Sequence, residues 1–553
     1  MKAIKKLPSI FIVIMLVFIV PNTILSFMGS TYEDLYQQAE IPLYRSENIL
    51  LLVILMLVVL AFSFGFARLV AGKGKIPENG MATADERLPG ATRAVRILKY
   101  ITLAVIFVIN IFFIINMDCG VACDSGSIAE IATDFVNGNY AGAFDGNSYL
   151  SVYPFQIGIT AYFQIFIGIF GAHACLAMQV VNALLITLSV LCFFNLLELC
   201  GVGSDICVIT YILSIPGLLT LYLYSSFLYG DVPGLCFGIF AIYFCIKLDA
   251  EWKVRYIVAS SISMALAIIL KSNSMILLIA IGIVVAIRTI ISRKPKFLIV
   301  VGCMLLTYIF APAGIKGFYA SKAGIDKLPS GAPKTTWIAM GLQENDAVAY
   351  GAYNGFNYNT YIDSGCDNEA SNEIAIANIK DSISGFLSNP KHAVKFFYLK
   401  FKAMWNMPDY NSLLQNEWYS RHSENVTDIG NWFIYDGGRT LLYWIMNVAQ
   451  SLVLLGTAIW GVYVISHSRS SQCFDEALNL LPFVLAVTGG YLFHMFWEAQ
   501  SRYAMPYFVL FFPMAVMVWG YIYRFVFRGG SEGTLETASE TAKNIESEGS
   551  SSN

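Results

Sequence analysis

About thirteen stretches of this chain stay apolar for roughly 20 residues at a time, and no other feature limits its fold as much. A helix rises 1.5 Å per residue, so about 20 residues cover a hydrocarbon core about 30 Å thick. Backbone polar groups in lipid must be satisfied within the spanning segment, which selects helices. The blocks lie at approximately 7–27, 49–70, 97–117, 153–171, 174–197, 205–228, 232–249, 254–270, 273–292, 297–315, 440–465, 478–496 and 503–524. With 57% hydrophobic and only 13% charged residues, the 553-residue chain lacks the polar surface of a soluble globule. The expectation is an all-α polytopic membrane protein of about 12–13 transmembrane helices. The first block is too long for a cleaved signal peptide and lacks a small-residue cleavage pattern. A net charge of −3 and the absence of a basic, aromatic-laced patch give no reason to expect a nucleic-acid partner.

Lysine and arginine set the expected orientation. Lys2, Lys5 and Lys6 precede the first block, and Arg68, Lys73, Lys75, Arg87, Arg93, Arg96 and Lys99 fill the region after the second. Lys247, Lys253, Arg255, Arg288, Arg293, Lys294, Lys296, Arg524 and Arg528 mark further cytoplasmic turns, so both termini are expected in the cytoplasm. From Ile101 to Ile246 there is no lysine or arginine. Loop 118–152 therefore faces outside, with Asp118, Asp124, Glu130, Asp134 and Asp145 uncompensated. One conflict follows. Asp124 and Asp231 both belong outside, yet three apolar blocks separate them, and three full crossings would reverse the side. The expectation is that 174–197 or 205–228 is short, re-entrant or broken, with Pro216-Gly217 the favoured breakpoint because proline removes a helix hydrogen bond.

The chain divides into an N-terminal helix pair with a basic linker (1–94), a core with the acidic outer loop (95–315), an outer segment or small subdomain (316–439), three C-terminal helices (440–528) and a Ser/Glu/Gly/Thr tail (529–553) expected to be disordered. Within loop 118–152, Ile128, Ile131, Ala132 and Phe135 fall on one face at helical spacing, which predicts an interfacial helix. Ser127 with Glu130 reads as its capping box. Cys119, Cys123 and Cys366 are expected to be accessible, and a Cys119–Cys123 disulfide is open.

Chemistry is expected at the outer helix ends. Transfer of a sugar to a hydroxyl needs a carboxylate to take the acceptor proton and positive charge to hold a departing phosphate. Asp124 and Asp231 offer the first, Lys271 and Arg502 the second, with Asp118, Glu498 and Tyr503 as further candidates for substrate binding. A divalent cation is possible, with no ligand set assigned. Each residue also has a plain reading: Asp124 as a helix cap, Asp231 as a polar turn, Lys271 snorkelling to headgroups, and Glu498 with Arg502 as a local i,i+4 ion pair. His494 reads as structural.

Asp124 ahead of an amphipathic helix, Tyr149-Leu150-Ser151-Val152-Tyr153-Pro154-Phe155-Gln156, Tyr229-Gly230-Asp231, Leu270-Lys271-Ser272-Asn273 and Glu498-Ala499-Gln500-Ser501-Arg502-Tyr503 together resemble the polytopic glycosyltransferases of GT-C fold. That group includes protein O-mannosyltransferases, aminoarabinose transferases and bacterial family 39. The resemblance covers roughly 95–525. It implies a multi-pass enzyme of the cell membrane that takes a polyprenyl-phosphate-linked sugar on the outer face and passes it, with inversion, to an envelope glycan, lipid or protein. It further implies Asp124 and Asp231 as catalytic residues and Lys271 as a donor-phosphate contact. Relatives often place two acids close together in the first outer loop; here Cys119-Gly120-Val121-Ala122-Cys123 separates Asp118 from Asp124, and Asp124 is favoured because the helix follows it directly. The alternatives are a polysaccharide polymerase or ligase, which shares the donor, and a lipid-linked-glycan transporter, which would want ionisable residues near the bilayer midplane.

Overall fold

The computed structural model describes residues 4–33, 41–71, 93–344 and 349–528. Lys2, Lys73, Lys75 and Arg87, which entered the reading of sidedness, lie outside the described residues, as does the tail from Gly529.

Helices α1 (Leu7–Met28) and α2 (Ile49–Val70) are joined by the only strands among the described residues, β1 (Gly29–Glu33) and β2 (Pro42–Ser46), antiparallel with Gly29 opposite Ser46. Asn48 caps α2 by accepting from the Leu51 amide at 3.1 Å. The core continues through α3 (Arg93–Met117), α4 (Cys123–Val136), α5 (Tyr149–Val152), α6 (Ile157–Phe170), α7 (Ala174–Leu199), α8 (Ser204–Gly217) and α9 (Leu219–Leu223). It is completed by α10 (Asp231–Ala250), α11 (Val254–Leu270), α12 (Met275–Ser292) and α13 (Leu298–Ala323). Six helices fill the segment before the last crossings: α14 (Lys334–Gly341), α15 (Phe356–Asp363), α16 (Asn368–Ser388), α17 (Pro390–Trp405), α18 (Ser412–Ser420) and α19 (Asp428–Tyr435). Then come α20 (Gly437–Ser466), α21 (Ser471–Phe496) and α22 (Ser501–Arg528). The protein is thus an all-α polytopic membrane protein. Among the described residues, ten helices are long and apolar enough to cross a membrane, the bent α8/α9 pair is long and apolar enough when taken together, and the shorter α11 is also apolar. The apolar window of α22 is 83% buried and that of α13 only 11%, so α22 is core and α13 turns its apolar surface to lipid.

Of the basic residues read as cytoplasmic, Lys99, Arg288 and Arg524 lie at one end of the bundle, here the lower end. There Lys99 pairs with Glu198 at 2.8 Å, Arg524 with Asp205 at 2.7 Å, and Arg288 with Asp249. The turns around Asp124, Asp231 and Lys271 form the upper end.

The crossing conflict has a different solution from the expected one. Helix α6 has 14 residues, about 21 Å of rise, too short for the hydrocarbon core. It also touches upper-end groups along its length. Gln156, just before it, donates to the Tyr229 hydroxyl, and Gln164 accepts from Tyr319 at 2.5 Å. At its start, a Cβ added to Gly158 would lie 2.2 Å from the Ile269 carbonyl oxygen, a close approach that only glycine allows. The block at 153–171 is therefore no crossing. Helix α7 does cross: Gln179 donates to the carbonyls of Cys119 (2.7 Å) and Ser226 (2.9 Å) at the top, and Glu198 meets Lys99 below. The bend at Pro216-Gly217 is real, 50°, yet the bent pair still runs from Asp205 below to Ser226 above.

Two further expectations are corrected. Helix α4 begins at Cys123 without a side-chain cap from Ala122, and the Ser125 hydroxyl accepts from the Ala122 amide at 3.2 Å. Ser127 and Glu130 lie inside the helix, where no free amides need a cap. The expected apolar face is present, with Ile128, Ala132 and Phe135 buried. Cys119 and Cys123 are not joined in a disulfide, and Cys119 is buried, its sulfur 3.4 Å from Asn416 Oδ1. Burial pushes that thiol up to about 12.

Candidate functional site

The site begins with the antiparallel packing of α10 on α11. Gly230 makes the join possible, because a Cβ there would sit 2.0 Å from the Leu270 carbonyl oxygen. The first residue of α10, Asp231, thereby meets the residue that ends α11, Lys271. Lys271 Nζ lies 2.9 Å from Asp231 Oδ1 and 3.0 Å from Oδ2, and Asp231 is 2% exposed. This is a buried ion pair, which excludes both the polar-turn reading of Asp231 and the snorkelling reading of Lys271. Burial pushes the Lys271 ammonium below its usual range and the Asp231 carboxylate opposes that shift.

Aromatic rings enclose the pair. Lys271 Nζ is 4.8 Å from the centre of the Tyr229 ring and 5.4 Å from that of Tyr503. Arg502, in the first turn of α22, has its guanidinium carbon 5.3 Å from Phe227, 5.6 Å from Tyr229 and 5.4 Å from Tyr503. Its Nε is buried without a hydrogen-bond partner. Glu498 is buried beside them, 3.4 Å from the Tyr503 hydroxyl. Two cations share one aromatic box, and one still has a donor to give.

From this box a cleft descends between α10, α12 and α22. Asp231, Lys271 and Tyr503 line its charged end with Asn273 and Ser274 beside them, and the rest is mainly apolar, from Leu235, Ile276, Leu277, Pro506 and Leu510.

Asp124 does not line the cleft. It is exposed in the first turn of α4. Its charge is felt by Tyr149, Tyr229 and Tyr419, whose hydroxyls are pushed up mainly by burial and further by the Asp124 carboxylate. Tyr229 is thus common to both acids, near Asp124 through its hydroxyl and under Lys271 through its ring. The structure brings Asp231, Lys271, Arg502, Glu498 and Tyr503 together and sets Asp124 beside them. Asp118 stands apart: its carboxylate accepts from Ser423 at 2.5 Å and tethers the loop before α19. Glu130 and Asp134 are exposed, as is Asp145.

Sequence reasoning missed the aromatic wall and one lysine. Trp337 of α14 stacks on Trp497 at 6.0 Å, and Tyr153 packs on Trp337 at the same separation. Lys400 of α17 is buried and donates to the carbonyls of Gly341 (2.5 Å) and Trp497 (2.7 Å), tying the segment after α13 to the turn that carries Glu498. Burial lowers it to about 7, with Glu498 opposing the shift. The signal was available: Lys400 shares a helical stripe with Phe396, Ala403 and Met404. His494 is buried with both ring nitrogens unpartnered and lies 5.9 Å from the Tyr503 ring. Among the described residues, no three His, Cys, Asp or Glu side chains converge to hold a metal ion.

A family model described as a conserved hypothetical integral membrane protein matches residues 91–343, a stretch that holds Asp118, Asp124, Asp231 and Lys271 but not Glu498, Arg502 or Tyr503. No curated protein and no solved structure matches the chain.

Proposed function

We propose that this protein is a membrane glycosyltransferase of the GT-C kind. It moves a sugar from a polyprenyl-phosphate donor to an acceptor at the upper end of the bundle, which is the extracytoplasmic face. The observation that carries this reading is a pair of cations on the same Tyr229 and Tyr503 rings, Lys271 lining the charged end of a mainly apolar cleft and Arg502 packed behind those rings. A lipid-linked phosphate has the matching chemistry: its oxygens accept from the Lys271 ammonium and the free Arg502 Nε, and its hydrocarbon lies along Leu235, Ile276, Leu277 and Leu510. Asp231, already committed to Lys271, keeps that ammonium charged and aimed. Asp124, exposed and free to receive a substrate, acts as the general base. The acceptor hydroxyl gives its proton to Asp124 as its oxygen attacks the anomeric carbon, the sugar–phosphate bond breaks with its electron pair leaving on phosphate, and configuration inverts. The two cations stabilise that developing charge. The bundle's buried ion pairs sit at helix ends, which favours this reading over a transporter with charges at the midplane.

The test supplies radiolabelled polyprenyl-phosphate sugars to membranes containing the protein. Transfer is expected, and Asp124→Asn should lower it roughly 10²-fold or more at unchanged expression. Arg502→Ala should cost about 3 kcal/mol of transition-state stabilisation. Undiminished transfer by Asp124→Asn would remove the base from the proposal, and no transfer from any such donor would remove the enzyme.

A further inference from the structure

Helix α17 lies across the upper ends of α1, α21 and α22. Its inward face is bound firmly: Trp405 lies 3.9 Å and Phe401 5.8 Å from the Tyr491 ring of α21. Asn406, just after the helix, donates to the carbonyls of Leu25 (3.4 Å) and Gly29 (2.8 Å) at the end of α1. Because α1 and α21 cross the membrane, these attachments fix the C-terminal half of α17 at the level where the crossing helices emerge.

The outward face has a different composition. Lys391, Val394, Lys395, Tyr398 and Lys402 fall at helical spacing on a single stripe that contains no acid. Val394 is 72% exposed and Tyr398 48%. Lys391 and Lys395 form no ion pair or hydrogen bond with a described side chain. Tyr44 of β2 extends the stripe, with its ring centre 4.2 Å from Lys402 Nζ. An aliphatic tip, tyrosines and unpaired lysines on one helix face form the composition of a membrane–water interface.

We propose that the outward face of α17 is a binding surface for the headgroups of anionic phospholipids, with Lys391 and Lys395 on the phosphates and Val394 entering the acyl boundary. The occupant follows from charge: a face with cations and no acid selects anionic over zwitterionic lipid, by on the order of 5-fold in local concentration per lysine. The surface lies on a different face of α17 from Lys400 and is independent of the proposed reaction.

The full chain, carrying Val394→Cys labelled with bimane, is reconstituted in nanodiscs of phosphatidylcholine. A minor, equal fraction of brominated phosphatidylglycerol or brominated phosphatidylcholine is added, and the signal of the labelled parent chain is subtracted. Brominated phosphatidylglycerol should quench several-fold more strongly, and high salt should narrow the difference. Lys391→Gln with Lys395→Gln, both at exposed positions, should bring the ratio near one while quenching by phosphatidylcholine persists. Equal quenching by the two lipids in the Lys391/Lys395 chain would overturn the preference. Quenching by neither would overturn the surface itself, as it would mean that α17 stands clear of the bilayer or is covered by a second copy or another protein.

Discussion

Replacing Asp231 by asparagine tests the centre of the site without any assay of transfer. The substitution keeps shape but leaves Lys271 facing an amide, with Arg502 in the same aromatic box. Breaking a buried ion pair by neutralising one partner costs about 3–5 kcal/mol, because the remaining charge is uncompensated. The Asp231 side chain is 1% exposed and that of Lys271 20%, so the ammonium keeps some access to water and the lower end of that range, about 3 kcal/mol, applies. Adding Lys271→Met removes the orphaned charge, so the double variant should return to within about 1.5 kcal/mol of the parent. The assay is a double-mutant cycle by steric trapping or SDS titration in bicelles, with Asp231→Asn, Lys271→Met, the double variant and the parent chain. Additive losses, with no recovery in the double variant, would refute the ion pair and the site built on it. This outcome also bears on catalysis: lost activity in Asp231→Asn says nothing of chemistry if the fold is weakened, whereas Asp124 is exposed and its asparagine variant should fold normally.

Further outcomes follow from single positions. Gly230→Ala should destabilise by about 1–3 kcal/mol by the same titration, because the new methyl would strike the Leu270 carbonyl and part α10 from α11. Asp409 is buried, and burial raises its carboxyl from 3.8 to about 6. A raised folded-state pKa gives stability that is full below about 4 and lost as pH climbs through 6; Asp409→Asn should thus stabilise by up to about 3 kcal/mol at pH 8 and by little at pH 4, read from thermal unfolding at both. An aqueous maleimide should label the exposed Cys123 readily and leave the buried, high-pKa Cys119 unmodified, as mass spectrometry of the 118–136 region would report.

Much of the site was legible because its residues stand where a membrane helix would not otherwise put them. Asp231 and Lys271 interrupt apolar blocks at their ends, and a charge in that position needs either headgroups or a partner. Sequence spacing could not choose between those, since the choice depends on Gly230 letting α10 and α11 approach. The aromatic wall was illegible for a related reason: Trp337 and Trp497 are 160 residues apart and meet only through the segment folded over the bundle, and Tyr229 and Tyr503 come to Lys271 from the distant helix ends of α10 and α22. The hairpin of β1 and β2 carried too few residues to register against the apolar blocks around it.

The crossing conflict shows where hydropathy loses its meaning. Hydropathy reads the block at 153–171 as a span because α6 is apolar on most sides, but its length decides otherwise, and a short apolar helix can be buried by protein instead of lipid. At α6 the first half is covered by α4, α11 and α13, where Phe163 and Ile159 are buried, Gly158 lies against Ile269 and Gln164 reaches Tyr319, while Ile165, Ile169 and Phe170 beyond them stay exposed. Parity alone required one of three blocks to fail as a crossing and could not say which, and the proline drew attention to the wrong block. A bend leaves a helix long enough to cross, as α8 and α9 do, whereas 14 residues do not. Once α6 is taken out of the membrane, Asp124 and Asp231 fall at the same end, and the geometry around Tyr229 becomes possible.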